Sequence, residues 1–175
     1  DQDQPLPDMI LLASDGSQIN PSRHDAVEVG LINLGLIRML PGTGRTPDVV
    51  TRSRLLYPGM EGILDDSLSE DLVAIMRDVE ERKFLAETAA AAVHELAGDS
   101  AGEILPVVAC TDGPLELFRE PRGGEQQRKR FDQYLAALNG IAKIWAIPAG
   151  YVDKPPANLL VRMLEVMTTK PADLG

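Results

Sequence analysis

Two short apolar runs constrain this chain most. Met9–Ala13 (MILLA) and Ile104–Thr111 (ILPVVACT) have the length and content of buried strands. Each runs into the same step, Asp15-Gly16 after the first and Asp112-Gly113 after the second. One Asp-Gly pair is a common turn dipeptide and means little. Two copies, each closing an apolar strand of similar length, suggest a shared purpose. If the strands are parallel neighbours, both carboxylates emerge at one carboxyl edge, where open α/β sheets bind ligands. Carboxylates held together repel and raise each other's pKa unless a cation sits between them. Mg²⁺ and Mn²⁺ prefer oxygen ligands and would relieve that conflict.

The elements around these runs give a fold class. Ser14–Gln18 reads as a polar turn. Ala26–Leu40, with Gly30 and Gly35 inside it, reads as a bent strand, and Asp48–Tyr57 as an edge strand. Ser67–Ala97 reads as one long helix opened by a Ser67/Glu70 capping box, with Gly98 at its C-terminal end. Glu125–Leu138 is an amphipathic helix, Ile141–Ile147 a third buried run, and Pro156–Met167 a last helix with Pro near its start. The order β-β-β-α-β-α-β-α predicts an α/β fold. Its mixed sheet is an antiparallel three-strand meander continued by parallel strands, with flanking helices.

A third acid should come from the long helix. With Val79 at zero and about 100° per residue, the apolar stripe spans roughly −120° to +60°. Glu87 and Glu80 fall on its border, at about 80° and 100°, and Glu81 on the solvent face, at about 200°. Glu87 sits only about 15 Å up the helix from Ala97, whereas the following strand climbs about 23 Å. Height therefore favours Glu80 or Glu81. Glu87 is preferred, with Glu81 and Glu80 open. Ser17 and Gln18 follow the first acid and are placed to orient a ligand or a phosphate. Arg23 and His24 are candidates for phosphate contact, with strand capping as the other reading of His24. His94 and Cys110 read as packed side chains. Arg119, Arg122, Arg128, Lys129 and Arg130 read as a solvated basic face.

Composition narrows the function classes. The 175 residues carry 17 Lys and Arg against 27 Asp and Glu, a net charge of −10. That balance argues against a free-standing nucleic-acid binder of the basic-patch kind. The 44% hydrophobic content excludes a disordered chain. The single cysteine excludes a disulfide scaffold and fits a reducing cytoplasm. The start is acidic, with no targeting segment, and no apolar stretch is long enough to span a bilayer. The chain starts just before its first strand and stops just after a helical pattern, which reads as the trimmed core of something longer.

The residues also resemble a known family. Asp15-Gly16-Ser17-Gln18, Pro21-Ser22-Arg23-His24 and Leu31-Ile32-Asn33-Leu34-Gly35 resemble the opening of the NurA nucleases. Asp112-Gly113-Pro114-Leu115 resembles that family's second aspartate motif, and Gly150-Tyr151-Val152-Asp153-Lys154-Pro155 its later glycine-tyrosine-valine segment. The resemblance implies a single RNase H-like core over residues 1–175. It implies a Mn²⁺-dependent (or Mg²⁺-dependent) DNA nuclease that resects ends from 5′ to 3′, as a homodimer, with a HerA-type hexameric translocase ATPase. Asp15, Asp112 and a helix glutamate, Glu87 or second Glu81, would then hold two metal ions. The family's C-terminal tyrosine and histidine have no complete counterpart, since no histidine follows His94.

Overall fold

The computed structural model describes residues 8–22, 27–60, 63, 68–98, 105–115 and 125–153, together with 163, 164, 167 and 168. Five strands and two long helices follow one another as β1 (Ile10–Ile19), β2 (Gly30–Met39), β3 (Asp48–Leu56), α1 (Glu70–Gly98), β4 (Val107–Asp112), α2 (Glu125–Lys143) and β5 (Ile147–Tyr151). The strands form one sheet in the order β3-β2-β1-β4-β5. β1, β2 and β3 pair antiparallel, and β4 and β5 add parallel strands beside β1. This is the mixed sheet expected from the sequence.

Period-two alternation sorts the strands into two faces. Ile10, Leu12 and Ser14 of β1, Ile32, Leu34 and Leu36 of β2, and Val107, Ala109 and Thr111 of β4 are buried. These face α1, whose Val73, Met76, Phe84, Leu85, Ala89 and Ala92 complete the core with Ile141 of α2. The opposite face carries Leu11, Ala13 and Asp15 of β1 with Cys110 and Asp112 of β4. Cys110 is therefore half-buried on the open side of the sheet, not a packed core thiol.

Several boundaries differ from the sequence reading, each for a physical reason. β1 does not stop at Ser14 but runs to Ile19, because β2 pairs with it continuously from Leu11↔Met39 to Ile19↔Leu31. Asp15 thus lies inside a strand. α1 starts at Glu70, and the hydroxyl capping it is that of Ser69, which accepts from the Leu72 amide at 3.2 Å. Ser67 lies outside the described residues. The Leu68 amide donates to the Glu28 carboxylate at 2.8 Å, tying the helix start to the approach of β2. Ile141 is not in a strand, because α2 continues to Lys143 and buries it completely, while Ile147 opens the exposed edge strand β5. His94 is exposed on α1 rather than packed against the sheet. Of the predicted last helix, only residues 163, 164, 167 and 168 are described, and they are helical.

β5 is seated on the end of β4 by a close backbone approach. Gly113 N donates to Tyr151 O at 2.8 Å. A Cβ at Gly150 would lie 2.7 Å from Gly113 O and 3.0 Å from Leu115 N. Both contacts are with backbone, which cannot swing aside as a flexible side chain would. Gly150→Ala is expected to destabilise the fold by about 1–3 kcal/mol, the usual range for an overpacked site. Urea unfolding monitored by circular dichroism checks it.

Candidate active site

The sheet brings the two Asp-Gly steps together. β1 and β4 are parallel neighbours in register from Ile10↔Val107 to Ser14↔Thr111. The next step of that register is Asp15 beside Asp112. Neighbouring strands lie about 4.8 Å apart, so the two carboxylates share the carboxyl end of the parallel pair. Both are exposed and both line one open hollow of about 880 Å³ on the face away from α1. Ser17, Asn33, Thr51, Ser53 and Tyr151 line it too. Tyr151 is the register partner of Asp112. Gly35, opposite Asp15 on β2, keeps the floor of the hollow low.

The helix acids divide sharply. Glu87 is exposed and pairs with Arg52 of β3 at 2.7 Å. Arg52 also stacks 3.9 Å over the ring of Phe84. Glu80 pairs with Arg54 at 3.0 Å, and Glu95 with Arg38 at 2.8 Å. These three acids recur about every two turns of α1 and line it up with the arginines of β2 and β3. The sequence preference for Glu87 thus meets a structure that puts it in this row, on the meander side.

Glu81 is only 5% exposed. One of its carboxylate oxygens, Oε1, accepts from Arg82 Nη1. The other, Oε2, would lie 3.0 Å from a Cβ at Gly16. The Arg77 side chain is equally close, 3.0 Å from that Cβ position, so Gly16 is where β1 passes near both side chains. Burial pushes the Glu81 carboxyl above its ordinary value of 4.5, against the opposing pull of Arg82. The charges of Asp15 and Asp78 push it in the same direction as burial. The angular reading misplaced Glu81 because it assumed one covered side. α1 is covered by the sheet and also by α2. Glu81, Ala92 and Leu85 fall at about 200°, 220° and 240° on the helix wheel, and all three are buried.

Arg82 and Tyr134 carry the polar contacts around Glu81, and the sequence reading passed over both. Arg82 is buried. Its Nε donates to Tyr134 Oη at 3.3 Å and its Nη2 to the Asp112 carbonyl at 3.4 Å. A signal for it was present. Arg82 sits at about −60°, the middle of the apolar stripe, where an unpaired charge is almost never tolerated. Of the other candidates, Ser17 shares the hollow with Asp15. Gln18 alternates to the other face, where its amide donates to Asn20 at 2.5 Å. Arg23 and His24 lie outside the described residues.

The donor chemistry of Asp15 and Asp112 fits a hard divalent cation, since both are exposed oxygen donors at one strand edge. The cradle at Gly16 leaves room for a third acid, Glu81. Among the described residues, no three acid, histidine or cysteine side chains stand close enough together to hold a metal ion. The fit therefore rests on the aspartate pair, with Glu81 turned toward Arg82.

No family model matches the chain, and no curated protein matches it. In structure it is similar to LC9-RNase H1, a type 1 RNase H with the type 2 active-site motif. The TM-score is 0.34 at 11% identity, over 92% of this chain and 72% of that one. A likeness this distant carries no inference about what this chain does. No helix among the described residues is long and apolar enough to cross a membrane.

The raised Glu81 pKa gives a signed expectation. The folded state keeps this proton to a higher pH than the unfolded chain does. Folding therefore takes up a proton as pH rises past 4.5, and this group's contribution to stability declines in that window. Glu81→Gln removes the titration. Urea unfolding of the two proteins from pH 4 upward is expected to show the wild type losing stability relative to the variant as pH rises.

Proposed function

We propose that this chain is a metal-dependent nuclease of the NurA type, hydrolysing phosphodiester bonds in DNA. The observation that supports it is the pairing of Asp15 and Asp112 on adjacent parallel strands, both facing one open hollow. Asp15 and Asp112 would hold Mn²⁺ or Mg²⁺, and Glu81 replaces Glu87 as the third acid. When bound, the metal supplies an activated water and a positive charge beside the leaving oxygen. Asp15 and Asp112 set the position of that chemistry at the strand edge. Ser17, on the same face of β1, is placed to donate to a phosphate oxygen. Glu81, paired with Arg82 behind β1, stands beside the aspartates without occupying the substrate's space. The hollow is bounded by β3 on one side and Tyr151 on the other, and it is open enough for a polymer to cross.

The net charge bears on how DNA arrives. A chain at −10 gains little from releasing counterions. Delivery of DNA by a HerA-type hexameric ATPase, to a homodimer acting in end resection, is consistent with that charge and with the resemblance of the motifs. A second reading is favoured by one observation, the engagement of Glu81 by Arg82. It is an inactive nuclease-fold subunit that serves to bind the motor.

Asp15→Ala and Asp112→Ala decide between them. Each is expected to lower Mn²⁺-dependent cleavage of DNA by a factor of at least about 10³ while far-ultraviolet circular dichroism stays unchanged. Full activity in either variant overturns the nuclease reading. The isolated chain is also expected to bind DNA weakly, with fluorescence anisotropy showing tight binding only when the ATPase is added.

A further inference from the structure

Three elements carry the three acids: β1 has Asp15, α1 has Glu81 and β4 has Asp112. Arg82 touches two of them and is braced by a fourth element. One guanidinium donates to the Glu81 carboxylate, to the carbonyl of Asp112 and to the hydroxyl of Tyr134 on α2. Its carbon also lies 5.3 Å from the centre of the Tyr134 ring. Both side chains are buried, which shields the bonds to Glu81 and Tyr134 from water. We propose that Arg82 is a positioning residue of this site. It clamps Glu81 by one oxygen, leaving the other turned to Gly16, and fixes the end of β4 that bears Asp112. This rests on the nuclease reading above.

The shape of the guanidinium makes the role specific. It offers five donors in a rigid planar fork, so bonds to an acid, a carbonyl and a phenol can be met together. A lysine offers the same charge from one point and cannot span them. Stability alone is a poor account of the arrangement, because a buried ion pair contributes little net stability compared with apolar side chains of the same size. What the fork does supply is orientation. Glu81 is held through Oε1 with Oε2 toward Gly16, and the end of β4 at Asp112 is tied to the same group. Tyr134 limits the rotation of Arg82, and so acts one step further out.

The test uses Arg82→Lys, Arg82→Met and Tyr134→Phe, with Asp15→Asn as a control on the metal reading. Mn²⁺ alone is titrated into each full chain, and free Mn²⁺ is read by electron paramagnetic resonance. Thermal unfolding reports the fold separately, and cleavage of a DNA duplex gives kcat and KM. Asp15→Asn is expected to lose Mn²⁺ binding. Arg82→Lys is expected to fold and to weaken Mn²⁺ binding by on the order of tenfold, as loss of a partner behind a metal ligand does. Its kcat should fall while KM for DNA holds. Tyr134→Phe should show a smaller change in the same direction, and serves if Arg82→Met does not fold. Folded Arg82→Lys with wild-type Mn²⁺ affinity and kcat, beside an impaired Asp15→Asn, overturns the role of Arg82 alone. Unchanged Mn²⁺ binding in Asp15→Asn overturns the metal reading itself.

Discussion

The parallel ladder between β1 and β4 determines where everything else can go. Parallel strands need a long crossover, and here it contains β2, β3 and α1. That crossover returns the chain to the amino end of β4 with its direction matched to β1. The in-step register from Ile10↔Val107 to Ser14↔Thr111 then leaves two acids at equal height. A slip of one residue would send Asp112 to the face covered by α1. Burial of Val107, Ala109 and Thr111 against the helix forbids that slip. The apolar side of the sheet thus holds the polar side in place.

α1 does two kinds of electrostatic work at different depths. On its rim, Glu80, Glu87 and Glu95 meet Arg54, Arg52 and Arg38 in exposed or half-exposed pairs. Such pairs contribute about 0–1 kcal/mol each, and less in salt. They guide the helix across the meander rather than hold it there. Deeper in, Glu81 and Arg82 are removed from water by α2 and the sheet. There the cost of desolvation is high and the partners must be complete. Each of these four acids is matched by an arginine, so the acidic excess of the composition lies with other residues.

The fold class was legible in the sequence because the apolar runs alternate with helical periodicity in an order that permits few topologies. Asp15 and Asp112 were legible because each closes such a run. The burial of Glu81 was not. It depends on which sides of α1 are covered, and α2 is a contact far away along the chain. Glu81 reads as solvent-facing only while α1 is treated as a surface helix. Arg82 in the middle of an apolar stripe was the local sign that the stripe was not purely hydrophobic. The end of β1 was misjudged for a related reason. Ser14–Gln18 has turn composition, but the β2 partner supplies its hydrogen bonds and overrides the local preference.

The extension of β1 past the last residue it shares with β4 divides that strand into two mechanical halves. From Ile10 to Ser14 it is bonded on both edges. From Asp15 to Ile19 the sheet holds it on the β2 edge only. The first half can part only when the whole sheet does, whereas the second can open by a local fluctuation. Asp15 stands at the boundary. Its backbone is anchored by a rigid segment, and the residues after it are able to yield to whatever lies in the hollow. The strand behaves as a fixed post with a compliant tip.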